Sequence, residues 1–426
     1  MLMKEQGVKA TTGSSWVVAW PCSTSGMAAT ATHFARQVGT AVKEKIGRTK
    51  RAQAPWYTSL MAAASRALVE RLPLVDLIVE VRDARIPLSS ECELLRNNLC
   101  SSRQIIALNK ADLAGRSGSQ AWTDYFRRTN CISCGVDAHN KESIKELLGL
   151  IQRQVRELRG TSHANYTATV MLIGIPNVGK SALANSLHQV GRISAAEKGK
   201  LRHATVSPEP GETKDIKSFK IGSHPNIFVL DTPSVLSPDV PDVEVLSKLI
   251  LTGTIGDCLV SRKEIAEYFL AILNSSEEYK KWVKLSSDNT VGIYHGIPKG
   301  CLTFSEFEGK KKKQIPTDHT QDDIVCHVRR TLFETVSSFD GNISYEDEMG
   351  ALIARQFAAL QEAFHVSAEC GEDAHVKVAG KLLNLFRTGR LGHYLLIFIP
   401  QVILQNPKLS FKHSSSTRRH QKVDLN

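Results

Sequence analysis

Residues 56–255 alternate between two hydrophobic patterns. Short continuous apolar runs predict buried strands, whereas apolar positions three or four residues apart predict helices. The predicted strands are 74–81, 104–108, 168–173, 216–221 and 226–230, and the predicted helices are 56–72, 91–99, 120–127, 142–158 and 181–187. This alternation predicts an α/β domain, with a mostly parallel sheet that is covered by helices on both faces.

After about residue 261, the apolar residues recur only three or four positions apart, which is the spacing of helices. It predicts helices at 263–273, 277–285, 331–336, 348–364 and 374–387. Residues 286–321 lie between these helices and predict a flexible insertion, which carries four consecutive lysines at 310–313. We therefore expect the α/β domain at 56–255 to be followed by a basic helical domain at 261–426.

Residues 1–51 differ in composition from the rest of the chain. Their acidic residues are limited to Glu5 and Glu44, while Ser, Thr, Ala, Lys and Arg are frequent. This composition is typical of an organelle transit peptide followed by a basic arm, and we expect the segment to be largely disordered. A basic tail without a targeting role is the alternative. The composition does not separate a mitochondrial from a chloroplast address.

The overall charge points to a polyanionic partner. The chain carries 54 Lys and Arg against 43 Asp and Glu, a net charge of +11 and an isoelectric point near 9.2. An excess of this size favours association with nucleic acid, although a transit peptide supplies part of it.

The cysteines and the hydropathy exclude several classes of protein. Nine scattered cysteines are typical of a reducing compartment rather than of a disulfide framework. The one close pair, Cys131 and Cys134, lacks the second pair or the histidines that a zinc site needs. No window reaches the apolar length of a membrane helix, so the sequence predicts a soluble protein.

A glycine-rich stretch between a predicted strand and a predicted helix indicates a phosphate-binding loop. Residues 174–181 read Gly-Ile-Pro-Asn-Val-Gly-Lys-Ser and fit G-x-x-x-x-G-K-[S/T]. Glycine at both ends lets successive N–H groups point at phosphate oxygens, and the helix adds its positive end. Lys180 would reach the terminal phosphates, and Ser181 would ligate Mg²⁺. The nucleotide-binding residues expected in this loop are Gly174, Pro176, Asn177, Val178, Gly179, Lys180 and Ser181.

A second motif indicates the base. Asn109-Lys110-Ala111-Asp112 follows a predicted strand, and the Asp112 carboxylate can accept two hydrogen bonds from guanine, whereas adenine offers no such donor pair. Asn109 and Lys110 would shape the wall of the base pocket. Ser133 and Cys134 follow another helix and are candidates to present backbone N–H groups to the guanine oxygen.

Two further positions fit a magnesium-dependent switch. Thr213, in a polar stretch after the phosphate loop, can place its hydroxyl on Mg²⁺ when a γ-phosphate is present. Asp231 ends a strand downstream and is the expected outer-sphere Mg²⁺ partner. Ser181, Thr213 and Asp231 therefore form the predicted metal set.

The base motif precedes the phosphate loop, which reverses the order in most GTP-binding domains. With Asp83-Ala84-Arg85, Asn109–Asp112, 174–181, 210–213 and 231–233 in this order, residues 56–255 resemble the circularly permuted GTPases of ribosome assembly. They are most similar to the mitochondrial GTPase 1 group, called DAR GTPases in plants, with an echo at 386–392. A permuted chain can close the same sheet when the old termini lie close together.

The resemblance implies a function and a set of partners. It implies GTP hydrolysis stimulated by potassium and by the ribosome, with Lys180, Thr213 and Asn177 in catalysis and Asn177 as the potassium ligand. It also implies GTP or GDP and Mg²⁺ as cofactors, a monomer in the mitochondrion, assembly of the large ribosomal subunit through contact with its rRNA, and peripheral association with the inner membrane.

The chain departs from the family pattern at one position. Ser234 replaces the glycine of D-T-P-G, and a serine restricts the swing of its peptide N–H toward the γ-phosphate. The next residue is Val235 rather than a water-orienting glutamine, so slow intrinsic turnover is expected. An RNA-binding scaffold with a degenerate, non-switching nucleotide site is the alternative. The sequence leaves the role of Asp83 and Arg85 open. They belong either to a ligand site or to a local ion pair that caps the next helix.

Overall fold

A computed structural model of the chain describes residues 26–48, 54–98, 103–159, 166–194, 216–223, 225–239, 241–276, 278–283, 323–367 and 372–396. Thr213, the expected insertion at 286–321 and the basic residues beyond 396 lie outside the described residues.

The described chain contains one six-stranded sheet. Its strands are β1 (Leu77–Asp83), β2 (Gln104–Asn109), β3 (Ile132–Gly135), β4 (Thr167–Ile173), β5 (Lys217–Ser223) and β6 (Asn226–Asp231). Their order is β3-β2-β1-β4-β6-β5, and every neighbouring pair is parallel except the antiparallel β5–β6 pair. The carboxyl ends of β1, β2, β4 and β6 therefore lie along one edge, where open α/β sheets bind their ligands.

Helices cover both faces of this sheet, as predicted. Seven precede or follow its strands: α2 (Ser59–Arg71), α3 (Glu93–Asn98), α4 (Ala111–Ala114), α5 (Arg116–Arg128), α6 (Lys141–Arg159), α7 (Lys180–Ser194) and α8 (Val243–Leu251). On one face, Leu68 of α2 and Leu95 of α3 pack with Ile78 of β1. On the other, Leu77 and Val79 of β1 belong to the main core. β1 is buried at every position although its sequence is LIVEVRD, and its charged residues Glu80, Arg82 and Asp83 are all in ion pairs.

Beyond α8, the described residues form helices and no further strand. These are α9 (Arg262–Ser276), α10 (Asp323–Ser337), α11 (Glu346–Ala363) and α12 (Glu372–Arg387). Phe269 of α9 lies 4.6 Å from Phe386 of α12, measured between ring centroids. Asn274 and Gln356 exchange two buried hydrogen bonds of 3.0 and 2.9 Å between α9 and α11. Residues 278–282 form a short 3-10 helix, so the α-helix predicted at 277–285 is wrong there.

The amino-terminal segment departs most from the sequence prediction. Residues 1–51 were expected to be largely disordered, yet Gly26–Arg48 forms a helix, α1, that packs on α8 and α9. Its apolar residues Val38 and Val42 are fully buried, and Lys45 donates a 2.7 Å hydrogen bond to the Cys258 carbonyl. The expectation failed because it weighed the basic, acid-poor composition and overlooked the apolar positions at helical spacing. Residues 1–25 and 49–53 lie outside the described residues.

Two shorter elements were also missed. β3 is short and only partly buried, so it lacks a strong apolar run. α8 has only nine residues, and so short a segment offers little more than two helical turns of pattern. Among the helices of the described chain, none has the length and hydropathy to cross a membrane.

The packing of α1 predicts opposite effects for two of its glycines. A Cβ on Gly39 would overlap the backbone of Val243 at the start of α8, whereas a Cβ on Gly47 would meet open space. We expect Gly39→Ala to lower the free energy of unfolding by about 1–3 kcal/mol through overpacking. Gly47→Ala is the matched control and should leave stability unchanged or raise it by up to about 1 kcal/mol. Urea denaturation measures both, and equal effects would show that α1 does not pack on α8.

Candidate functional site

The glycine-rich loop lies between β4 and α7, in the strand–loop–helix setting of a phosphate loop. Gly174 follows β4, and a Cβ there would overlap the Val81 carbonyl of β1. Gly179 precedes α7 with φ of +93°, and a Cβ there would overlap the Asn109 amide. Both positions therefore require glycine, because the loop is pressed against the neighbouring strand ends.

Asn177 has a strained backbone within this loop. Its φ is +59°, in the left-handed region that asparagine tolerates better than most residues. Its side-chain amide donates a 2.6 Å hydrogen bond to the carbonyl of Gly253, just after α8. This bond fixes the phosphate loop to the end of α8, and it occupies an amide hydrogen of the residue expected to hold potassium.

The base motif lies at the end of β2, beside the phosphate loop. The Asn109 amide donates a 2.8 Å hydrogen bond to the Val178 carbonyl, so the two loops are directly joined. Lys110 follows with φ of +61°, which turns the chain sharply away from the sheet. Asp112, on α4, has an exposed side chain. The structure thus brings the base motif and the phosphate loop together, as their order along the chain required.

A second carboxylate, which sequence reasoning missed, lies near Asp112. Although the Asp112 side chain is exposed, the surrounding protein partly desolvates its carboxylate and so raises its pKa, and the negative charge of Asp137 raises it further. Asp137 belongs to the loop after β3, whose Val136 carbonyl accepts a 3.0 Å bond from Ala111 N–H. No motif marks Asp137, because its importance comes only from this β2–β3 pairing.

Ser133 and Cys134 lie inside β3 rather than in a loop. The Ser133 hydroxyl donates a 3.2 Å hydrogen bond to the Thr123 carbonyl, and burial raises the pKa of the Cys134 thiol to about 12. Their side chains are therefore engaged within the fold. Within the part of the chain that the structure describes, Cys131 and Cys134 do not belong to any group of three or more His, Cys, Asp or Glu side chains placed to hold a metal ion.

Lys180, at the start of α7, is buried and points back across its own loop. Its ammonium donates to the carbonyls of Gly174 and Ile175, at 3.0 and 3.1 Å, and to the Ser234 hydroxyl at 2.6 Å. Burial lowers the pKa of Lys180 to about 8, with partial opposition from the charge of Asp231. The lysine is thus held in place by neutral oxygen atoms.

Ser234, the departure from the family pattern, thereby gains a specific contact. Glycine at this position could not accept a bond from Lys180. A serine at position 234 is expected to restrict rotation of its own peptide N–H. Its hydroxyl also accepts a hydrogen bond from Lys180 of the phosphate loop.

Asp231 has the environment of a magnesium-site carboxylate. It is fully buried at the end of β6, and among the described residues neither of its oxygens has a partner at normal hydrogen-bond geometry. Burial raises its pKa, while the nearby Ser181 hydroxyl and Lys180 ammonium oppose that rise. An unsatisfied buried carboxylate beside a serine hydroxyl at a phosphate loop fits a bound Mg²⁺ and its water ligands. Ser181 and Asp231 are therefore together, and Thr213 lies outside the described residues.

Asp83 and Arg85 form a buried ion pair at the end of β1. The Arg85 guanidinium donates to Asp83 at 3.0 Å through Nε and at 2.7 Å through Nη2. Lys110 Nζ lies 3.2 Å from the same carboxylate. Burial by itself would raise the pKa of Asp83, but Arg85 and Lys110 hold it well below its usual range. Of the two readings left open, the structure shows the ion pair, and it adds the contact with Lys110.

The residues after α12 cross the base motif. We call residues 389–396 the C-terminal strap. Tyr394 N–H donates a 2.9 Å hydrogen bond to the Leu113 carbonyl, and Leu396 N–H donates a 3.0 Å bond to the Arg85 carbonyl. Gly389 has φ of +75°, and a Cβ there would overlap the Leu113 side chain. The sequence similarity at 386–392 therefore marks a segment that packs on Leu113, the residue that follows the base motif.

The end of α12 also contacts the phosphate side of the site. Arg387 donates to the carbonyls of Ile250 and Leu251 at 2.8 and 3.0 Å, and it forms a two-point ion pair with Asp257. Its guanidinium lies 3.5 Å from the position of a Cβ on Gly253, the residue whose carbonyl holds Asn177. One helix end thus touches the supports of both loops.

A phosphate loop, a base-selecting tetrapeptide and a buried metal-type carboxylate at one sheet edge define a P-loop GTP-binding domain with circularly permuted connectivity. A family model described as "50S ribosome-binding GTPase" matches residues 169–285. DAR GTPase 2, mitochondrial, of Arabidopsis thaliana is 53% identical over 366 residues, which cover 85% of this chain and 94% of the relative. The chain belongs to this family of circularly permuted GTPases of ribosome biogenesis, and it is a GTP-hydrolysing enzyme.

Other relatives extend the comparison. Short integuments 2, mitochondrial, of Arabidopsis thaliana is 40% identical, covering 83% of this chain and 91% of the relative. Mitochondrial ribosome-associated GTPase 1 of Bos taurus is 37% identical, covering 56% of this chain and 70% of its own. All three relatives are named as mitochondrial, so the mitochondrial address is confirmed over the chloroplast alternative.

The lowered pKa of Lys180 predicts proton uptake when nucleotide binds. Without nucleotide, Lys180 loses its charge as the pH rises through about 8, whereas a bound phosphate would keep it protonated to higher pH. We expect GDP binding to take up protons at pH 9 but little at pH 7, with affinity falling as the pH rises above 8. Calorimetry in buffers of different ionisation enthalpy measures the uptake, and Lys180→Ala should abolish it. Equal proton uptake at both pH values would contradict the prediction.

Proposed function

We propose that this GTPase assembles the large subunit of the mitochondrial ribosome, binding it in the GTP state and leaving after hydrolysis. The observation that carries the proposal is that the end of α12 and the C-terminal strap contact the residues that support both loops of the nucleotide site. A helical domain attached in this way can sense which nucleotide is bound, since the strap bonds to Leu113 and Arg85 beside the base motif. In addition, Arg387 bonds to the end of α8, which holds Asn177 through Gly253. The description of the matching family model and the name of the bovine relative agree with a ribosomal partner.

The proposed roles follow the geometry. The phosphate loop binds the phosphates through Gly174, Pro176, Asn177, Val178, Gly179 and Lys180. Asn109, Lys110 and Asp112 bind guanine, with β3 residues Ser133 and Cys134 supporting that pocket. Ser181, Thr213 and Asp231 would hold Mg²⁺, which would supply positive charge to offset that of the phosphates. Ser234 competes with nucleotide for Lys180. Asn177 keeps its proposed role toward potassium through its side-chain oxygen.

The helical domain offers a basic surface for RNA. A groove of about 590 Å³ lies between α9, α10 and α12, and its basic lining residues are Arg262, His365, Lys377, Lys381 and Arg390. Cations along a groove suit the phosphate backbone of rRNA, whose recognition depends mainly on such contacts. Peripheral association with the inner membrane and a monomeric state, both implied by the family resemblance, stay predictions.

Stimulation by ribosomal subunits tests this function. We expect the GTPase rate to rise on adding large mitochondrial subunits, and to be higher in potassium chloride than in sodium chloride. GTP should tighten subunit binding by the same factor by which subunits tighten GTP binding, because coupling between two sites is reciprocal. Small subunits serve as the control. If RNA affinity is the same with and without GTP, and ribosomal subunits do not raise the GTPase rate, the RNA-binding scaffold is favoured instead.

Asp112 tests the base assignment separately. Asp112→Asn should lower GTP affinity and raise affinity for xanthosine triphosphate, because the new amide N–H faces the C2 carbonyl of xanthine. Loss of one charge-assisted pair should cost about 1.5–3 kcal/mol. Asp137→Asn is the matched control, since it removes the neighbouring carboxylate without changing the proposed guanine contact. A variant at Asp112 that binds GTP as well as the parent would place the base pocket elsewhere.

A further inference from the structure

The end of β1 places a buried carboxylate beside the lysine of the base motif. Asp83 and Asn109 are register partners at the ends of β1 and β2, and Ala84 N–H donates a 2.8 Å bond to the Asn109 carbonyl. Lys110, the next residue, turns with positive φ, so its ammonium returns over the strand end to within 3.2 Å of Asp83. The Lys110 side chain remains 25% exposed, while Asp83 is 2% exposed.

The Asp83 carboxylate is itself rigidly held. Both of its oxygens accept bonds from Arg85, and its Oδ1 also accepts the Arg85 backbone N–H at 3.0 Å. Its own N–H donates a 3.0 Å bond to the Ser90 hydroxyl. The guanidinium of Arg85 lies 5.4 Å from the ring centre of Phe386 on α12, and its backbone carbonyl accepts the bond from Leu396 of the strap. The pair is thus clamped between β1 and the C-terminal segment.

We propose that Asp83 and Arg85 are positioning residues for guanine binding, which act by anchoring the Lys110 ammonium so that its aliphatic stem is presented to the base. This inference rests on the proposed assignment of Asn109–Asp112 to the guanine pocket. A lysine stem carries several rotatable bonds, and anchoring its charged end in advance removes conformational freedom that binding would otherwise have to restrict. Arg85 acts through Asp83, because its bonds leave that carboxylate one orientation.

A double-mutant cycle separates positioning from general stability. The dissociation constant of fluorescent mant-GDP is measured for Asp83→Asn, for Lys110→Met, and for the two combined. Lys110→Met keeps an apolar stem and removes only the anchored charge. We expect each single variant to bind about tenfold more weakly, which corresponds to about 1.4 kcal/mol, and the double variant to be no weaker than either, because both remove one interaction. If the double variant instead loses affinity by the product of the two single losses, the two side chains act independently and the inference is overturned.

The chain offers a matched control on the same strand. Glu80 and Arg82 form another buried ion pair in β1, 2.7 Å apart, and no described contact joins Glu80 to Lys110. Glu80→Gln should lower the melting temperature while leaving mant-GDP affinity of the folded protein unchanged. If Glu80→Gln weakens GDP binding as much as Asp83→Asn does, the effect is one of stability, and positioning is excluded.

Two further variants keep every outcome informative. If Asp83→Asn does not fold, Arg85→Lys is the substitute, because it retains both charges but loses the two-point hydrogen bonding to Asp83. We expect Arg85→Lys to weaken mant-GDP binding about threefold when Lys110 is present. In the Lys110→Met background it should not weaken binding. An equal loss in both backgrounds would overturn the inference. Lys110→Ala tests the underlying assignment: unchanged GDP affinity there would reject the guanine pocket itself, whereas weaker binding in Lys110→Ala with unchanged binding in Asp83→Asn would reject only the positioning role.

Discussion

The hydrogen bond from the Asn109 amide to the Val178 carbonyl is the contact on which the nucleotide site depends. It joins the base motif to the phosphate loop across the carboxyl end of β1, although the two residues are 69 positions apart in the sequence. Gly179 makes it possible, since a Cβ there would overlap the same amide. Circular permutation leaves this contact unchanged, because it alters only the order in which the chain visits neighbouring strand ends.

A second level of support comes from the carboxyl end of the described chain. Arg387 holds the turn after α8 that binds Asn177, and the C-terminal strap holds Leu113 and Arg85 beside the base motif. The two loops of the site are therefore braced by one helix end. Movement of α12 relative to the sheet would disturb the base side and the phosphate side together, so the helical part and the nucleotide site are mechanically continuous.

The sequence predicted the features that depend on local pattern. The phosphate loop and the base motif were visible because glycine, lysine and carboxylate positions follow one another at fixed spacing, and the strands leading into them are continuously apolar. The Asp83–Arg85 pair was visible only as two alternatives, since its contact with Lys110 depends on how β1 and β2 align. The bond between Ser234 and Lys180 joins the segment after β6 to the start of α7. No local sequence pattern predicts this contact, because the two residues are far apart along the chain.

The remaining misses have a common physical origin. Helix α1 was hidden by a basic, acid-poor composition, α8 by its short length of nine residues, and the strap by its lack of regular structure. Each is held by distant partners: α1 by α8 and α9, and the strap by Leu113 and Arg85. Local propensity is a weak guide to such segments, because tertiary packing supplies most of their stability.

The position of the strap has a consequence for the gene. A nonsense codon shortly after the codon for Arg387 would leave every recognisable GTPase motif in the product. The shortened protein would nonetheless lack the N–H groups of Tyr394 and Leu396, and the carbonyls of Leu113 and Arg85 would lose their partners. A late truncation of this kind is a lesion of the nucleotide site, even though it lies far downstream of every residue that a reader of the coding sequence would assign to it.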